Sequence, residues 1–244
     1  MTTTPWLWAA FTVTAAFAQT IRNAMQRELT AGLGTVGATQ VRFLFGFPFA
    51  LVFLAVLLMF TGAPLPRPGF YFWPWVIAGA LTQIAATALM LAAMGERSFV
   101  VTIAYTKTEP IQVALFGFIV LGDAVTPSMF AAIVAATLTL VVGLAIQSVA
   151  LSLYLSLRRP SVMFALLRAW KPSLFAGFMG ALASQFWFLA FALATAASVR
   201  TLALIEVLFA QLVARYGFGQ RTSAREAIGM ALVVAGVALL LLAY

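Results

Sequence analysis

The chain has 244 residues, of which 64% are hydrophobic and 8% charged, with a formal net charge of +8. Soluble domains carry about a quarter charged residues, so polar groups cannot cover this surface and the solvent is expected to be a lipid bilayer. With no Cys and no His, disulfides, thiolate zinc sites, imidazole catalysis and haem attachment through cysteine are excluded, and no cofactor is implied. The basic residues fall mostly between apolar runs, where they anchor loops at headgroups, and no basic patch with interleaved aromatics points to nucleic acid.

A helical span needs about 20 apolar residues. The opening stretch MTTTPWLWAAFTVTAAFAQT lacks a basic n-region and is expected to be the first span, at 5–21, rather than a cleaved signal peptide. Further spans are predicted at 38–61, 72–94 and 98–121, from near 126, and at 173–195, 199–214 and 225–243. The stretches RNAMQRELTAGLG, TGAPLPRPG, GERS, GDAVTP and GFGQRTSA separate them. The fifth span is overlong, apolar from Met129 to about Leu157, and the segment RRPSVMFALLRAWKP after it suits a helix lying in the interface. Pro48 is expected to kink the second span.

Counted by loop parity, one side of the membrane holds Arg22, Arg27, Arg97, Arg158, Arg159, Arg168, Lys171, Arg215, Arg221 and Arg225, and the other only Arg67 and Arg200. The positive-inside rule then places both termini outside the cytoplasm.

The chain also resembles itself. EPIQVALFGFIVLGDAVTPS from Glu109 aligns with EVLFAQLVARYGFGQRTSAR from Glu206 at an offset of 97, matching Gly122 to Gly219 and Thr126 to Ser223. Upstream, at an offset of 98, Pro74 matches Pro172, Gly79 matches Gly177 and Leu91-Ala92 match Leu189-Ala190. The repeated units are three spans apart, so they cross in opposite directions, and the repeat is expected to be inverted. This divides the chain into a first repeat over 1–150 and a second, shortened one over 151–244.

The same segments carry a family resemblance. TEPIQVALFGFIVLGDAVT, VRFLFGFPFALVF and SQFWFLAFALATAASVRTLALIEVLFAQ together resemble EamA-type transporters of the drug/metabolite transporter superfamily. The resemblance implies an all-α, inverted-repeat carrier of the bacterial inner membrane that exports amino acids, metabolites or drugs. It departs from that plan in two respects: eight spans are readable where the family has ten, and the charge count puts the termini on the side opposite to the family's usual one.

Charged residues at a helix centre cost about 2.5–3.5 kcal/mol on insertion scales, so each needs a partner or a wet cavity. Lys107 and Glu109 are two residues apart and point to different neighbours. Thr102, Tyr105, Glu109, Gln112 and Phe116 form one polar-aromatic stripe, read as lining a pathway. Glu206 is the expected acid for Lys107, and Arg42 the expected partner for Glu109. Pro110 removes a backbone N–H and is expected to kink the helix beside the two charges. Gln185 and Trp187, with Gln83 and Gln211, are further candidates for ligand contact or interhelical bonding, and Ala176, Gly180 and Ser184 form a small-xxx-small packing face.

A secondary transporter of small molecules, with proton coupling a further expectation, accounts for these features. The alternatives are an architectural charge network in a non-transporting or truncated membrane protein, and a lipid-linked sugar flippase. An enzyme is not expected, since Asp123 is the sole aspartate and no HExxH occurs. The expected partners are the bilayer and a small-molecule substrate, with a homodimer left open.

Overall fold

A computed structural model describes residues 6–107 and 129–242. Every regular element among them is a helix, as expected for a chain that must satisfy its backbone hydrogen bonds internally in lipid. The elements are α1 (Leu7–Thr61), α2 (Phe72–Glu96), α3 (Phe99–Thr106), α4 (Met129–Arg158), α5 (Pro160–Arg168), α6 (Trp170–Leu193), α7 (Ala196–Leu202), a 3₁₀ turn (Ala203–Ile205), α8 (Glu206–Tyr216) and α9 (Ala224–Leu242).

Among the described residues, four helices are long and apolar enough to cross a membrane: α1, α2, α6 and the 132–158 part of α4. The chain is therefore an α-helical membrane protein. Eight separate spans were expected; the one at 225–243 is α9, which is not among the four, and three further differences account for the rest of the gap. The first two expected spans are one 55-residue element in which RNAMQRELTAGLG, expected as a polar loop, is helical except at Gly34. The expected span at 199–214 is divided by the 3₁₀ turn, and the second half of the one at 98–121 lies outside the described residues.

At Gly34 the backbone has φ 66° and ψ 173°, a conformation open essentially to glycine alone. The two legs of α1 fold back on each other there. Gln26 Nε2 donates to the Ala38 carbonyl at 2.9 Å, and Leu33, Val41, Leu166 and Ala176 close the bend. Pro48 lies in a leg whose helical dihedrals continue through it.

Helix α6 lies against both legs. Phe11 meets Phe186 and Gln19 meets Trp187 on the first leg, while Phe49 meets Phe178 on the second. From Phe11 against Phe186 to Arg22 against Gly180 the numbering runs in opposite senses, so α6 is antiparallel to the first leg and, because the second leg folds back on the first, parallel to the second. The approach is closest at Gly177, where an added Cβ would meet Phe45 C at 2.4 Å and Gly46 N at 2.7 Å. Van der Waals packing of small residues is what holds membrane helices together in the absence of a hydrophobic drive. Helix α4 runs antiparallel to the second leg, with Gln40 Nε2 bonding Ser148 O and Ser152 Oγ, and α2 packs on the same leg through Arg42 and Thr87.

Two linkers have the same geometry. Arg97 and Ser98 are extended, at φ −128°, ψ 167° and φ −62°, ψ 149°, and the Ser98 hydroxyl caps α3 by accepting from Val101 N. Ala194 and Thr195 are extended likewise, at φ −147°, ψ 162° and φ −61°, ψ 151°, and Thr195 caps α7 by accepting from Ser198 N. A hydroxyl at the N-cap satisfies a backbone donor that the helix itself leaves free.

The basic residues gather at one end. Arg27 stacks over Phe218, Gln220 accepts from Phe99 N beside Arg97, and the α4–α5 corner with Arg158 and Arg159 packs near the Gly34 bend through Val162 and Gly37. The opposite end carries Arg67 between α1 and α2. Two residues from the loop count move. Arg22 is buried within α1, and Arg200 lies over the rings of Trp187 and Phe191 rather than in a loop.

Gly177→Ala should lower thermal stability by about 1–3 kcal/mol, the usual magnitude of overpacking, whereas Gly143→Ala, whose Cβ meets nothing within 4 Å, should be neutral or stabilising. Melting of both purified variants in one detergent checks this. A reporter active only outside the cytoplasm, fused after Tyr244, should be active if the positive end faces the cytoplasm.

Candidate functional site: a buried ion pair between two helix ends

Helix α3 stops at Thr106 and α8 starts at Glu206 after a 3₁₀ turn, so two helix ends meet. Lys107 lies nine residues beyond Ser98, and Glu206 ten residues before Tyr216. Ten helical residues rise about 15 Å, half the thickness of a hydrocarbon core of about 30 Å.

There Lys107 Nζ donates to Glu206 Oε2 in an ion pair, with the two side chains 8% and 1% exposed. The same Oε2 accepts from Gln19 Nε2 at 2.8 Å, and Oε1 accepts from Asn23 Nδ2 at 3.5 Å. Asn23 Oδ1 in turn accepts from Arg22 Nη2 at 2.8 Å and Nε at 3.2 Å. Trp187 Nε1 donates to Gln19 Oε1 at 3.1 Å, tying α6 into the network. One carboxylate thus joins the first leg of α1, α3, α6 and α8. A buried ion pair repays desolvation only when further hydrogen bonds satisfy its remaining lone pairs, and Gln19 and Asn23 supply them.

Each residue singled out in the sequence has a definite place or falls outside the described residues. Lys107 and Glu206 are brought together. Trp187 joins them through Gln19, whereas Gln185 points to α4, where its Oε1 accepts from Thr137 Oγ1 at 3.3 Å and its buried Nε2 has no partner. Arg42 donates to Thr87 Oγ1 at 3.3 Å, which also accepts from Gln83 Nε2 at 3.4 Å. Gln211 bonds Thr222 Oγ1. Glu109, Pro110 and Gln112 lie outside the described residues, so neither the Arg42–Glu109 pairing nor the kink is described. Tyr105 is exposed at the rim of a cavity of about 630 Å³, which Lys107, Ala104, Val207 and Glu226 also line.

Asn23 and the buried role of Arg22 were missed because the first span was expected to stop at 21, and Gln19, inside that span, was not singled out. The spacing of Gln19 and Asn23, four apart on one helix face behind small Ala15 and Ala16, was the available signal. A second cavity, of about 620 Å³, lies between the second leg of α1, α2, α4 and α6, with Arg42, Phe43, Phe72, Trp75, Gln83 and Gln147 in its wall.

Comparison with family models, with curated proteins and with solved structures finds no match to this chain.

Lys107→Met should cost about 3 kcal/mol or more, because it strands the Glu206 charge, while Lys107→Met with Glu206→Met should cost less than Lys107→Met alone. Unfolding of the three variants as a double-mutant cycle, with Glu206→Met as the third, measures the coupling.

Proposed function

We propose that the chain is a secondary transporter that moves small molecules, such as metabolites, amino acids or drugs, across the cytoplasmic membrane. The observation that carries this reading is the Lys107–Glu206 pair at the junction of two helix ends, beside a cavity that Lys107 itself lines. Carriers build midplane sites from interrupted helices, because freed backbone groups and charges are tolerated at that depth only next to protein or a wet cavity.

An eight-span, inverted-repeat plan of the EamA type is the architecture proposed with it. The two linkers at Arg97-Ser98 and Ala194-Thr195 support the plan, since they match in backbone and in capping at the same offset of 97 that relates Glu109 to Glu206. Directions support it too. Contacts from Leu91 and Met94 near Ala38 to Ile84 near Phe43 make α2 antiparallel to the second leg of α1, and therefore antiparallel to α6. In this mechanism the ion pair opens when substrate or a proton takes the place of one partner, and Gln19 and Asn23 hold the carboxylate in register meanwhile.

Expression in cells stripped of their own exporters should raise at least one compound in the medium, and Glu206→Gln should lower that export by roughly tenfold, equivalent to about 1.4 kcal/mol. Export by Glu206→Gln and Glu109→Gln equal to that of the parent across a pH range would sink the carboxylate mechanism. No change in the medium with the parent chain would favour a non-transporting membrane protein.

A further inference from the structure

The described interior carries more positive charge than its acids can balance. Arg22, Arg42 and Lys107 are three cations within the helical bundle, and Glu206 is engaged by Lys107. The remaining described acids lie elsewhere: Glu28 and Glu96 are exposed, and Glu226 caps α9 through Ser223 while bonding Ser98. Neither Arg22 nor Arg42 has a carboxylate partner among the described residues. The other two acids of the chain, Glu109 and Asp123, lie outside the described residues, and Glu109, the expected partner of Arg42, carries one charge and can neutralise at most one of the two arginines.

Arg22 has its guanidinium engaged by Asn23 and its stem against Gly180. Arg42 is differently placed. Of its five N–H donors, one reaches the Thr87 hydroxyl, and its guanidinium lies 5.8 Å from the centroid of the Phe43 ring, in the wall of the 620 Å³ cavity. Phe72 and Trp75, in the first turn of α2, give the same cavity an aromatic rim, and Gln83, Thr139, Gln147 and Ser184 are its neutral polar groups. Gly79 and Gly143 border it with open space where a Cβ would stand. A cation in an aromatic, largely apolar cavity at membrane depth is a receptor for an anion with an apolar body.

We propose that the cavity around Arg42 binds the anionic group, a carboxylate or phosphate, of a small molecule whose apolar or aromatic part lies against Phe43, Phe72 and Trp75. Arg42 fixes the sign of charge accepted, and the aromatic wall selects for the apolar body. As substrate specificity this rests on the transporter reading; as binding it is measured without transport, so the two fail separately.

The test uses the full chain in nanodiscs of neutral lipid at pH 7, with three probes sharing an indole ring: indole-3-acetate, indole-3-ethanol and tryptamine. Calorimetry should give indole-3-acetate at least about tenfold tighter binding than the other two, the worth of one charge-assisted bond. Arg42→Gln should remove that preference and Arg42→Lys retain part of it. Gly143→Leu, which puts a side chain into the open space bordering the cavity and leaves the Arg42 charge in place, should weaken all three probes. Equal binding of the three probes, an anion preference that survives Arg42→Gln, or anion binding that appears only after Glu109→Gln would each overturn the assignment. Loss of indole-3-acetate binding in discs containing phosphatidylglycerol would overturn it too, since a lipid headgroup would then be the occupant. Retained binding without export would leave the cavity assigned and remove only the transporter reading.

Discussion

The burial of one carboxylate organises this protein. Glu206 is almost completely enclosed at a depth where an unpaired charge is expensive, so the chain must bring a cation and hydrogen-bond donors to it. They come from separate parts of the sequence: Lys107 from the end of α3, and Gln19 and Asn23 from the first leg of α1. Trp187 then joins α6 to the same cluster by donating to Gln19. Four elements are fixed to one another through a single anion. Neither helix could continue unbroken through that point and still present its charged end to the other.

The rest of the architecture follows from the absence of a hydrophobic drive between helices in lipid. Large apolar side chains such as Met59, Phe60 and Leu89 face outward, while small ones such as Ala15, Ala16, Ala38 and Ala176 and polar ones such as Gln26 and Gln40 are buried beside a few large ones such as Phe43 and Phe99. Gly177 lets α6 approach the backbone of α1 at Phe45 and Gly46, and the folded-back α1 gives α6 two surfaces to pack on. The bend at Gly34 needs a glycine because its backbone conformation admits no side chain, which makes that one residue the hinge on which the two-legged arrangement depends.

Polar chemistry inside the bundle divides into two regions of different character. Around Glu206 the carboxylate has a cation, Lys107, and two amide donors, Gln19 and Asn23, which suits a junction that holds helices together and reopens only when something replaces a partner. Around Arg42 the protein provides a cation, aromatic rings and space, but among the described residues no acid. A cluster built on an ion pair and a cavity with a cation but no described acid give the interior an electrostatic asymmetry that composition alone does not reveal.

Much was legible in the sequence, because composition and hydropathy act locally. The membrane solvent, the apolar helices, the long α4 with its amphipathic successor α5, and Glu206 as the acid for Lys107 all follow from residue types and their spacing. Other features required tertiary structure. Span count failed where RNAMQRELTAGLG proved helical: its polar residues Gln26, Arg22 and Asn23 find partners on other segments, so polarity there does not signal a loop. Arg22 could not be told from a headgroup anchor until Asn23 and Gly180 were seen around it. The sequence determined which solvent the chain lives in and offered Glu206 as the acid for Lys107; only the tertiary structure decided which uncharged partners gather around that pair, because a buried charge is held by the donors that distant segments bring to it.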